Sequence, residues 1–149
     1  MLMRYVAALA LTILMLGIAR RISTRHPTDY SVEAGGITLS HLTVTEDFGD
    51  GPKINIGASS TEGLKAVVYY SRVEGGPYTA DSLSRMPDGF SATLPVLEKG
   101  NRWYYHIKVY QSENEIAKFP PGVDQFIKFK GHVPAYILIP HIFCMFATI

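Results

Sequence analysis

The stretch RWYYHIKVY, from Arg102 to Tyr110, constrains the fold more than any other part of the chain. Successive side chains of a strand point to opposite faces, which puts Trp103, Tyr105, Ile107 and Val109 on one face and Arg102, Tyr104, His106, Lys108 and Tyr110 on the other. A helical period of 3.6 would scatter the apolar set around a cylinder. The first set is therefore expected in a core, where burial contributes roughly 1.5–3 kcal/mol per large apolar side chain before entropy is counted.

The rest of the body repeats this style in shorter pieces. Between Gly35 and Lys130 no helical stripe of useful length occurs, while alternating segments recur at Gly36–Val44, Lys53–Ser59, Leu64–Val73, Phe90–Val96, Glu115–Phe119 and Gln125–Lys130. Between them, DFGDGP, EGGP, MPDG and EKGN supply the Gly and Pro that tight connections use. Six or seven short strands bounded by turns predict an all-β sandwich over residues 36–130.

Ala66 to Pro120 carries a resemblance. A strand of the VVYYSR kind leads to a Met-x-x-Gly turn (MPDG), a strand FSATLP, a Gly turn, the Tyr-rich strand WYYHIKVYQ and a short strand ending in Pro. In this order and spacing the segment resembles the second half of bacterial immunoglobulin-like or fibronectin type III-like domains. It covers 55 of 149 residues. The resemblance implies an immunoglobulin-like sandwich of about seven strands and no particular activity, since such sandwiches host many roles. The cysteine pair of antibody domains is absent: the one cysteine, Cys144, permits no intrachain disulfide.

Motifs that carry chemistry are scarce. GDGP and EGGP lack the spacing, and the following Lys-Ser/Thr, of a phosphate-binding loop. The five histidines, at positions 26, 41, 106, 132 and 141, show no spacing typical of metal ligands. No Gly-x-Ser-x-Gly elbow occurs. The chain is expected to be non-enzymatic, with no catalytic, metal or cofactor-binding residues. Tyr104, His106 and Tyr110 on the solvent stripe are candidate contacts with a sugar or protein, set against simple cross-strand aromatic pairing.

Both ends of the chain are apolar. Tyr5 to Ala19 is 15 residues without a charge, preceded by Arg4 and followed by Arg20 and Arg21. This fits a signal-anchor or short spanning helix over residues 1–21, or a cleaved signal with small residues at Gly17 and Ala19. Val133 to Ile149 contains no Asp, Glu, Lys or Arg. As a helix its 17 residues would span roughly 26 Å, with Pro134 in the first turn, so residues 131–149 are expected to form a second membrane segment. His141 inside it is a candidate partner contact, a haem or pigment ligand, or a local structural group. Gly17 is a close-approach position on the first segment.

Charge completes the placement. The net charge is +1, but setting aside Arg4, Arg20 and Arg21 leaves 11 Lys and Arg against 13 Asp and Glu, a body of about −2. Without a basic run in the body, nucleic acid is not an expected partner. The organisation expected is an N-terminal membrane segment (1–21), a polar linker (22–35), a sandwich (36–130) and a C-terminal membrane segment (131–149). Arginines and lysines beside both segments would put the sandwich in the cytoplasm by the positive-inside rule. Signal-like character and the resemblance favour the extracytoplasmic, periplasmic side, which is the side expected. The expected partners are the lipid bilayer and a larger integral membrane complex, of the energy-transducing (respiratory or photosynthetic) kind, that the chain helps assemble or stabilise. The alternative is a surface-displayed module that binds a glycan or an envelope protein.

Overall fold

The computed structural model describes residues 2–23, 25–131, 134, 136–137, 139–140 and 144, with side chains in the N-terminal helix described at 10–19 and 21–22. Helix α1 covers Leu2–Ser23. The strands are β1 (Asp29–Ala34), β2 (Ile37–Leu42), β3 (Glu46–Asp47), β4 (Lys53–Ala58), β5 (Leu64–Ser71), β6 (Thr79–Ser82), β7 (Ser84–Met86), β8 (Gly89–Thr93), β9 (Arg102–Gln111), β10 (Asn114–Phe119) and β11 (Gln125–Phe129). One sheet runs β1-β2-β4-β8-β7 and the other β3-β11-β9-β5-β6, with β10 also paired to β9.

The body is thus β-rich, with two sheets facing each other across one apolar core. Leu39, Ile54, Ile56 and Phe90 come from the first sheet, and Val68, Trp103, Tyr105, Ile107, Val109 and Ile127 from the second. The alternation of β9 falls as its sequence requires: Trp103, Tyr105, Ile107 and Val109 are buried, while Tyr104, Lys108 and Tyr110 are half-buried on the outer face. Trp103 also satisfies its one polar atom, donating Nε1–H to the Pro95 carbonyl at 2.8 Å.

β9 is ten residues long, and three strands share its two edges. β5 pairs along it from Leu64↔Gln111 to Ser71↔Tyr104. On the other edge, β10 pairs with its end (Asn114↔Gln111 to Phe119↔Ile107) and β11 with its start (Gln125↔Tyr105 to Lys128↔Arg102). The β9–β10 turn has Ser112 and Glu113 at φ 47° and 73°, as a two-residue hairpin loop matching the strand twist requires.

Several strands lie outside the segments expected. Residues 29–34, placed in a polar linker, form β1, because Tyr30 and Val32 alternate inward against the core. β6 and β7 are edge strands whose every residue is exposed, so no burial contrast marks them in the sequence. Between them Leu83 is buried as the chain crosses from one sheet to the other.

At the termini, α1 forms over the expected N-terminal segment, extends two residues beyond it, and is about 33 Å long at a rise of roughly 1.5 Å per residue. Its described apolar side chains are exposed, Leu11, Ile13, Leu14, Met15, Leu16 and Ile18 being 46–61% accessible. Among the described residues, no helix is long and apolar enough to cross a membrane. The expected C-terminal segment falls largely outside the described residues, and His141 with it.

Candidate functional site

Tyr104, His106 and Tyr110, the candidate contacts on the outer face of β9, each make contacts within the chain. Register places Tyr69 of β5 opposite His106, and the two rings stack at 5.1 Å and 15°. Tyr78, just before β6, meets the same imidazole edge-on at 4.9 Å. Asp124, one residue before β11, accepts the hydroxyl of Tyr78 and lies 3.0 Å from His106 Nδ1. His106 is thereby buried although it points away from the core. Burial pushes its pKa below the ordinary histidine value, with Asp124 opposing the shift. Tyr78 is pushed up by its bond to the Asp124 carboxylate.

The remaining members of this face are paired in the same way. Tyr110 shares a hydrogen bond with Tyr69 at 3.1 Å, which pushes its pKa up to about 12. Lys108 holds Glu115 at 2.6 Å, an exposed pair of small energetic weight. Tyr104 packs against Phe126, over which the guanidinium groups of Arg25 and Arg102 sit at 4.1 and 5.1 Å. The outer face is a self-contained aromatic lattice.

A second polar group lies inside the core. His41 on β2 faces Tyr105 on β9, so the contact joins the two sheets. His41 Nδ1 is 2.8 Å from the Asn55 carbonyl and Nε2 is 3.1 Å from the Tyr105 hydroxyl, which also accepts the Val44 N–H at 3.0 Å. One proton arrangement satisfies all four groups: neutral His41 donates from Nδ1, and Tyr105 donates to Nε2. Burial accordingly lowers the pKa of His41, against smaller opposing effects from the Asn55 carbonyl and Asp29, and burial raises that of Tyr105. Its inward parity after Ile37 and Leu39 marks His41 in the sequence. Asp124 carries no such signal, because its partner His106 is 18 residues away.

The third region is the end of the sandwich where the chain arrives from α1. The carbonyl of Arg25 accepts from Thr45 Oγ1 at 3.4 Å, and Thr28 exchanges bonds with Thr43. The chain leaves beside the same segment, with Lys128 N–H donating to the Thr45 carbonyl and Lys130 N–H to the Asp47 carbonyl. Arg25 and Lys130 thus flank residues 45–47 at one end of the fold. The Asp47 carboxylate accepts the N–H groups of Gly49 and Gly51 and folds that loop so that Phe48 points outward, 63% exposed. Phe48, Val96, Lys99 and Phe129 line a cleft of about 530 Å³ here.

Gly17 lies on the exposed part of α1, and beyond its own helix a Cβ there would meet nothing within 4 Å among the described residues. Among the described residues, no three His, Cys, Asp or Glu converge on a metal-sized site. No protein-family pattern matches this chain, and no curated protein matches it.

Proposed function

We propose that the chain is a non-enzymatic, membrane-anchored accessory subunit, in which apolar segments at both ends hold an immunoglobulin-like sandwich against the extracytoplasmic face of a bilayer. One observation carries this reading: Arg25 and Lys130, on the stretches that lead to the two apolar runs, lie at the same end of the sandwich beside residues 45–47. Two segments leaving one end can enter one membrane without the chain having to cross the domain. The uncharged runs Tyr5–Ala19 and Val133–Ile149 supply the apolar length, and α1 exposes Leu11, Ile13, Leu14, Met15, Leu16 and Ile18, the kind of surface that lipid or other helices cover.

The finer fold identity rests on strand order. β2-β4-β8-β7 facing β6-β5-β9 with β10 and β11 follows the A-B-E-D against C′-C-F-G arrangement of immunoglobulin-like and fibronectin type III-like sandwiches. The alternative, a displayed glycan-binding module, draws less support, because Tyr104, His106 and Tyr110 are committed to Phe126, Asp124 and Tyr69.

Purification in mild detergent tests the reading. Co-migration with a stoichiometric larger membrane complex is expected; a free monomer that binds a glycan array would replace it with the alternative.

A further inference from the structure

The two ends of the sandwich differ in chemistry. At the end where the chain meets α1, three loops carry exposed apolar side chains: Phe48 at 63%, Val73 at 59% and Val96 at 52%. Their positions follow from register. β5 reaches this end at Ser71↔Tyr104, so Val73 lies just past it, while Gly100 and Asn101 bond to Phe129 beside the loop holding Val96.

Around these tips stand Arg25, Arg72, Lys99, Arg102, Lys128 and Lys130. Of the acids nearby, Glu46 is paired with Lys130 and Asp47 is turned onto the Gly49 and Gly51 N–H groups. Asp29, Asp50, Glu74 and Glu98 remain against Lys53 and the rest of the basic set. The opposite end, at the turns 35–36, 60–63, 87–88 and 112–113, carries Glu33, Glu62, Asp88 and Glu113 against Lys65 and Arg85.

Apolar tips ringed by long cationic side chains suit the boundary between headgroups and acyl chains, where the tips shed water and the Lys and Arg heads stay among phosphates. We infer that the loops bearing Phe48, Val73 and Val96 dock the sandwich onto the surface of an anionic lipid bilayer, with Arg72, Lys99 and Lys128 facing the headgroups. This rests on the anchoring reading above and adds a lipid-facing surface to it. The same end carries both connections toward the apolar runs, so the surface is continuous with the anchors.

The test uses the full chain in vesicles containing phosphatidylglycerol and lipids brominated high on the acyl chain. Trp103 is the only native tryptophan and is buried in the core, which gives a low background. Phe48→Trp and Val96→Trp should lose about half their added emission, since such groups reach roughly 5–10 Å into the interface, while Glu62→Trp at the far end should lose none. Replacing phosphatidylglycerol by phosphatidylcholine should weaken the quenching, and equal quenching in both would overturn the role given to the basic side chains. If Phe48→Trp and Val96→Trp behave like Glu62→Trp while the chain resists alkaline extraction, the anchors stand and the surface is wrongly assigned. A blue shift that grows with protein per vesicle but is not quenched would show a second copy on this face and overturn the proposal. Release by alkali would remove the anchoring reading itself.

Discussion

At the scale of single residues, His41 carries the most consequence. It is fully enclosed, and its neutral form alone satisfies Asn55, Tyr105 and Val44 together. A second proton on Nε2 would face the Tyr105 hydroxyl and place a charge in the core. Burial depresses the pKa of both His41 and His106 from the ordinary 6.5, so as pH falls the unfolded chain takes up protons first. Stability is therefore full above about 6.5 and is lost as pH drops from there through the folded-state values. Thermal unfolding near pH 7.5 and near pH 5 checks this, a lower melting temperature in acid being expected. His41→Phe should cost about 1–3 kcal/mol for each buried partner left unpaired and should flatten the acid dependence; an unchanged pH profile would contradict the role given to His41. Gly89 is a second sensitive position. At φ +146°, a Cβ built there would lie 1.8 Å from the Ile56 carbonyl oxygen, so Gly89→Ala should lose about 3 kcal/mol or more in denaturant titration. At the β9–β10 turn the reverse holds: Glu113 sits at φ 73°, and Glu113→Gly should gain about 1 kcal/mol.

At the scale of elements, β9 sets the organisation, since β5, β10 and β11 all pair with it. Trp103→Ala should cost about 3–5 kcal/mol by opening a cavity between Tyr70 and the core. Tyr104→Ala, on the outer face, should cost far less, and equal losses would mean that the strand's faces are reversed. Much of this element was legible in the sequence because its alternation is long and one face is almost wholly apolar. β5 was legible for the same reason, with Leu64, Ala66, Val68 and Tyr70 on one face. β6 and β7 were not, because TADS and SRM are exposed throughout and carry no contrast between faces. β1 was hidden among polar residues: Asp29, Ser31 and Glu33 mask the half-buried set Tyr30, Val32 and Ala34. The outer-face lattice was half visible. Tyr104, His106 and Tyr110 could be assigned to one stripe, but the covering of His106 by Tyr78 and Asp124 comes from loops that no local pattern locates.

At the scale of the whole molecule, a two-sheet β body is joined to apolar runs of sequence. Tyr104, His106 and Tyr110 are engaged within the body, while Leu11, Ile13, Leu14, Met15, Leu16 and Ile18 on α1 are exposed. On the proposed reading, the terminal segments are the part of the chain that would meet a larger membrane complex. A Cβ at Gly17 meets nothing within 4 Å beyond its own helix among the described residues, so weakened co-purification of Gly17→Leu would report an external contact, as would the same loss with His141→Leu. Retention of both variants alongside loss on deleting the sandwich would reverse these roles. Anchoring underlies all of this and is tested most directly by washing membranes with alkaline carbonate. The full chain should stay in the pellet, held by Tyr5–Ala19 and Val133–Ile149; its release into the supernatant would contradict the membrane-anchored reading.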